Sequence, residues 1–154
     1  MENTVVNDST LINDLIQINN DRIAGYQKAK EIAKHYKIED YDGIFNEYIN
    51  QSEIFIQELK PYLEIQSETK PHDTMISGKL FRIWMAIRTA ISGNDKKSLL
   101  ASCEQGEDAF KKTYKEVVEN EGWEITHDLL LLIEKQLAIQ LDAHEYIKTL
   151  RDQA

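Results

Sequence analysis

The sequence predicts an all-α protein, a four-helix bundle with one shorter helix in a connection. Three observations predict it. Apolar residues recur at steps of three and four over long stretches, the spacing that keeps one face of a helix pointing inward. Only two prolines, Pro61 and Pro71, and six glycines punctuate 154 residues, which suits long helices rather than many strands. Good N-cap residues stand just ahead of the periodic runs. The length fits a single domain, 1–154, with a sizeable core.

A flexible N-terminus is expected over residues 1–8, and the first helix from about Ser9 to Tyr36, with Asp8, Ser9 and Thr10 as N-cap types. Leu11, Leu15, Ile18, Gly25, Ala29 and Ile32 form one stripe, and Ile12, Ile16, Asn19, Ile23 and Tyr26 lie beside it. Together they make a broad inner face with an amide inside it. Asp40 or Asp42 caps the second helix, in which Tyr41, Phe45, Tyr48, Ser52, Phe55, Leu59 and Tyr62 step as a heptad. These rings read as core. Pro61 lacks an N–H, so the helix is expected to kink or end near it.

A crossover segment is expected over 64–93. Its first part, to Asp73, is a polar linker containing Pro71; Thr74 to Ser92 then reads as a helix. That helix is locally basic (Lys79, Arg82, Arg88) beside Phe81, Trp84, Met85 and Ile87, and reads as a surface helix on the bundle or as an interface. Gly93 ends it, and Asn94 or Asp95 caps the next. The third long helix runs to about Asn120, and Gly122 breaks the chain after it. The last spans about Glu124 to Asp152, with Ile125, Leu129, Leu132, Gln136, Ile139, Ala143, Tyr146 and Leu150 as its stripe. The connection between long helices two and three is too long for a simple hairpin. A long crossover there is how a ferritin-like four-helix bundle is connected; a five-helix array is the alternative.

The third long helix carries an anomaly. Leu100, Cys103, Glu107, Phe110, Tyr114 and Val117 share one face, and Glu107 stands in that apolar row. A buried carboxylate is costly unless it has partners or a ligand. Asn19, Tyr26, Tyr114, Gln136, Gln140 and His144 are predicted to join Glu107 in a polar cluster inside the bundle. A faint internal repeat accompanies it: Asn19 precedes Tyr26 by seven residues, as Glu107 precedes Tyr114.

Several stretches resemble an uncharacterised bacterial family of ferritin-like four-helix-bundle proteins. They are Asp21-Arg22-Ile23-Ala24-Gly25-Tyr26, Trp84-Met85 followed by Gly93-Asn94-Asp95, Cys103-Glu104-x-Gly106-Glu107-Asp108 with Tyr114, and His144 followed by Leu150-Arg151-Asp152. The resemblance runs from about Leu11 to Asp152. It implies a ferritin-like up-down bundle and brings no activity with it. Family analogy alone adds an association with stress.

A di-iron site in such a bundle needs a Glu from each of two helices and Glu-x-x-His from each of the other two. This chain fills that set poorly. Asn19 stands where the first Glu belongs, Ile56 follows Glu53 at the histidine position, and Leu141 precedes His144 at the glutamate position. The leading expectation is therefore a structural polar network with no catalytic residue and no cofactor. The second is a single divalent ion, iron or another metal, on Glu107 and His144, helped by Glu104, Glu53 or Asp21. A di-iron oxidoreductase comes last.

The net charge of −9 disfavours nucleic acid and anionic membrane surfaces as partners. No run is long and apolar enough to span a bilayer, and residues 1–7 do not read as a signal peptide. A cytoplasmic location is the default. Cys103 is the single cysteine and reads as a buried small hydrophobe. Trp84 and Trp123 suit half-buried positions at bundle ends or a subunit contact. The expected role is association, with a second copy as a dimer or with another protein.

Overall fold

The computed structural model describes residues 7–64, 67–68, 95–119 and 125–154. Four long helices dominate them: α1 (Ser9–His35), α2 (Asp42–Glu64), α3 (Lys96–Glu119) and α4 (His127–Gln153). Two short pieces, β1 (Asn7–Asp8) and β2 (Ser67–Glu68), pair in parallel with Asn7 opposite Ser67 and Asp8 opposite Glu68. The end of the N-terminal segment expected to be flexible is thus tied to the chain just after α2. The expected crossover helix over 74–92, with Lys79, Arg82, Arg88 and Trp84, lies outside the described residues, as does Trp123.

The helix boundaries follow local chemistry. Asp95 Oδ1 accepts hydrogen bonds from the backbone N–H of Lys97 (3.0 Å) and Ser98 (3.2 Å), which makes it the N-cap of α3. Thr126 Oγ1 accepts from Leu129 N–H and caps α4. The end of α1 closes with Ile38 N–H on the Ala33 carbonyl (2.7 Å) and Lys37 N–H on that of Lys34 (3.1 Å). That is a Schellman turn, and it puts Lys37 at φ 60°, a conformation usually given to glycine. Pro61 does not stop α2 at once: the helix runs on to Glu64, less than one further turn.

Contacts between named residues give the helix directions. Arg22 reaches Ser52 and Lys30 reaches Asn46, so α1 and α2 are antiparallel. Asn19 meets Tyr114 while Tyr26 meets Glu107, so α1 and α3 are antiparallel too. Tyr114 with Gln136 and Asp108 with His144 make α3 and α4 antiparallel. It follows that α2 and α3 point the same way. The start of α3 lies beside the start of α2, where Lys96 Nζ stands 3.1 Å from Asp40 Oδ2. Each hairpin, α1–α2 and α3–α4, packs most closely within itself; the two meet mainly along α1–α3 and more loosely along α2–α4.

The core is one continuous cluster. Leu11, Leu15, Ile18 and Ala29 from α1 meet Phe45, Phe55 and Leu59 from α2, Leu100, Cys103 and Phe110 from α3, and Leu129, Ile133 and Ile147 from α4. The predicted stripe of α4 is corrected by about one residue. Its inner face follows Leu129, Ile133, Gln136, Gln140, Ala143 and Ile147, while Tyr146 is 47% exposed. Leu129 to Ile133 are apolar without a break, so the start of this helix admits two registers.

Candidate functional site

Six of the seven residues expected in a polar cluster, Asn19, Tyr26, Glu107, Tyr114, Gln136 and Gln140, lie together in the core, and Arg22, outside that expected set, is at their centre. Arg22 is fully buried and faces Glu107 across the α1–α3 seam. Its Nε donates to Glu107 Oε1 and its second terminal nitrogen to Oε2, both at 2.9 Å, a bidentate pair. The remaining guanidinium nitrogen donates to Ser52 Oγ at 3.1 Å. Aromatic rings enclose the cation: Phe110, Tyr48 and Tyr26 have their centroids 5.2, 5.5 and 5.8 Å from its central carbon.

Glu107 is as fully engaged. Tyr26 Oη donates to Oε2 at 2.6 Å. Gln140 Nε2 donates to Oε1 at 3.2 Å and to the Glu107 carbonyl at 3.0 Å. A second group of contacts lies two turns along. Asn19 Nδ2 donates to Tyr114 Oη (2.9 Å) and to the Leu15 carbonyl. Tyr114 Oη donates to Gln136 Oε1 (2.7 Å), and Gln136 Nε2 reaches the Phe55 carbonyl and Glu58. The faint repeat in the sequence has a structural counterpart here. Tyr26 serves Glu107 and Asn19 serves Tyr114, so the two seven-residue pairs meet crosswise. Among the described residues, the side-chain oxygens Asn19 Oδ1 and Gln140 Oε1 are buried without a partner.

Electrostatics match this geometry. Burial opposes the charged guanidinium, yet Glu107 outweighs it and the Arg22 pKa stands above its ordinary value. Burial, and then the Glu107 charge, push the Tyr26 phenol well up. Burial does the same to Tyr114, against the Asn19 hydrogen bond. Both tyrosines are therefore neutral donors near neutral pH. Cys103 is buried as predicted, and its thiol is pushed up by burial and by Glu107.

His144 does not meet Glu107, which corrects the expected pairing. The antiparallel register of α3 and α4 sets Gln140 opposite Glu107 and carries His144 one turn further. There its Nε2 contacts Asp108 and its Nδ1 lies 2.9 Å from Glu145 Oε2. Glu104 pairs with Arg151 on the same seam. Glu53 is exposed on α2, away from the network. Asp21 is buried but joins neither group; Gln17 donates to it at 2.9 Å. Burial raises its pKa to about 6 despite that hydrogen bond.

The donor set at the core does not fit a metal pair. The one central carboxylate has both oxygens on a guanidinium, and the facing helices offer amides and hydroxyls from Asn19, Ser52, Gln136 and Gln140. A di-iron pair wants several carboxylates and imidazoles, with no fixed cation among them.

No helix among the described residues is long and apolar enough to cross a membrane. No curated protein and no solved structure matches the chain. A family model does match, over residues 7–120: the domain of unknown function DUF2383. Arg22, Tyr26, Glu107 and Tyr114 lie inside that match, whereas the α4 contributors Gln136, Gln140 and His144 lie beyond it. The chain therefore belongs to the DUF2383 family.

Proposed function

We propose that this protein is a non-catalytic bundle of ferritin-like connectivity that acts by associating with a second copy of itself. The observation that carries the non-catalytic reading is the Arg22–Glu107 pair. It commits to a guanidinium the carboxylate that a metal-based enzyme would need. The ferritin-like connectivity is supported by the shared direction of α2 and α3. A chain leaving α2 at one end of the bundle must return to the other end before α3 begins, which calls for a lengthwise crossover between them.

Association is supported by where the exposed apolar side chains lie. Ile54 on α2 and Leu131 and Tyr146 on α4 are 49%, 50% and 47% exposed. Lys135 and Asp142 share a face of α4 with Leu131 and Tyr146, and that face looks toward α2, where Lys135 pairs with Glu58. A shallow groove between Tyr48, Gln51, Ile139 and Tyr146 follows the same seam. Exposed apolar groups collected on one face mark an interaction surface.

Sedimentation tests the reading. The wild-type chain is expected to be a dimer at micromolar concentration, and Ile54→Glu with Tyr146→Glu to be a monomer of unchanged helicity. A strict monomer for the wild type sinks the proposal.

A further inference from the structure

The α3–α4 seam carries a second polar group, distinct from the core network. Glu104 and Asp108 lie one turn apart on α3, and His144 faces them from α4. One carboxylate oxygen from each acid and one imidazole nitrogen lie within 4.8 Å of one another. His144 is 5% exposed and Glu104 9%, while Asp108 opens the group to solvent.

The histidine is held in an unusual way: both ring nitrogens face carboxylates, Nε2 that of Asp108 and Nδ1 that of Glu145. A neutral imidazole has one N–H and one lone pair. It can satisfy one of those carboxylates and turns a lone pair on the other. An ion shared by that nitrogen and the facing oxygen completes the contact. Local charge is mildly favourable to a cation. Glu104, Asp108, Glu145 and Asp152 gather here around Arg151 and His144, with Lys97 and Lys148 acting on Asp152. A carboxylate behind the ring is also the usual support of a metal-bound histidine, because it fixes the tautomer and the ring plane.

We propose that Glu104, Asp108 and His144 form a site for one divalent cation of the zinc class. One imidazole and two carboxylates suit such an ion, and three protein ligands leave a fourth position for water. Glu145 orients the imidazole. Arg151 is a built-in competitor: it donates to Glu104 and is held on its other edge by Asp152 at 2.8 Å. A bound ion takes Glu104 from Arg151, and Asp152 keeps the released guanidinium. The site stands apart from the core pair and from the α2–α4 face, so it neither needs nor excludes the association proposed above.

Calorimetric titration of the chelator-treated full chain with zinc chloride tests it, with the visible spectrum of added cobalt(II) as a second readout. One ion per chain is expected. Asp108→Asn, His144→Gln and Glu145→Gln each weaken binding about tenfold or more, and Arg151→Met tightens it. Asp108 and Glu145 are exposed, so their variants fold, and circular dichroism verifies it. Replacing the exposed His35 and His127 leaves binding unchanged. Failure to bind zinc saturably overturns the proposal, as does binding indifferent to Asp108→Asn and His144→Gln. So does an NMR spectrum in which the His144 ring signals do not respond to zinc.

Discussion

Arg22 and Glu107, 85 positions apart in the chain, meet as a bidentate ion pair with neither side chain exposed to solvent. A pair this deep has a known asymmetry: removing one partner strands the other charge, whereas replacing both with apolar groups of similar size does not. Glu107→Gln is expected to cost about 3–5 kcal/mol. The double change Arg22→Met with Glu107→Leu should be milder than either single change, its remaining cost coming from the buried Tyr26, Gln140 and Ser52 groups that lose their partners. Urea unfolding of the single and double variants checks this. Additive losses would mean that the two residues are not coupled.

The Tyr26 hydroxyl donates a 2.6 Å hydrogen bond to the same carboxylate. Tyr26→Phe removes that donor and little volume. A loss of about 1.5–3 kcal/mol is expected, the range for hydrogen bonds to a charged group. In the Glu107→Leu background the same change should cost much less, because the acceptor has gone. A double-mutant cycle measures the difference.

Asp21 gives a pH dependence with a defined sign. Its pKa rises on folding from 3.8 to about 6, chiefly through burial. Between those values the folded chain binds more protons than the unfolded one, so this group's contribution falls as pH rises. It is fully present below the unfolded value and lost as pH passes through about 6. Asp21→Asn should therefore come close to the wild type near pH 4 and exceed it above pH 6.5, by up to about 2–3 kcal/mol. Unfolding midpoints measured across that range decide it.

Cys103 offers a probe of global opening. It is fully buried, and its thiol pKa is raised by burial and by Glu107. Thiol reagents need an accessible thiolate. Labelling with a disulfide reagent is expected to be slow in the native protein and to accelerate in step with denaturant unfolding. Prompt labelling under native conditions would contradict the packing described here.

Lys37 occupies the left-handed position of the Schellman turn after α1. A side chain there costs roughly 1 kcal/mol relative to glycine. Lys37→Gly is expected to recover part of that, about 0.5–1 kcal/mol, since the unfolded chain also gains freedom. A rise in thermal midpoint of a few degrees is the readout.

Much of this fold could be read before any coordinates. The apolar rows of α1, α2 and α3 are unambiguous because polar residues separate them. Glu107 stood out because leucine, cysteine, phenylalanine, tyrosine and valine surround it in its row. Arg22 does not, because it follows Asn20 and Asp21 in a polar run. The signal was nonetheless there: Leu15, Asn19, Arg22, Tyr26, Ala29 and Ala33 step by four and three along one face. An arginine in the same row as a polar cluster with a lone glutamate is a natural counter-charge. The place of His144 is hidden for a different reason. Periodicity fixes which face of a helix turns inward but not the axial register between two helices, and one turn of slip separates Gln140 from His144.

The placement of the central pair also bears on how the protein is made. Arg22 lies in the first hairpin and Glu107 in the second, so a nascent chain carries its buried cation through most of synthesis with no counter-ion to meet it. An N-terminal half, released alone, would have to hydrate that guanidinium and leave its own interior open. The Arg22–Glu107 pair can form only after α3 has left the ribosome, so the docking of α3 on α1 is the step that takes this guanidinium out of water with its counter-ion in place.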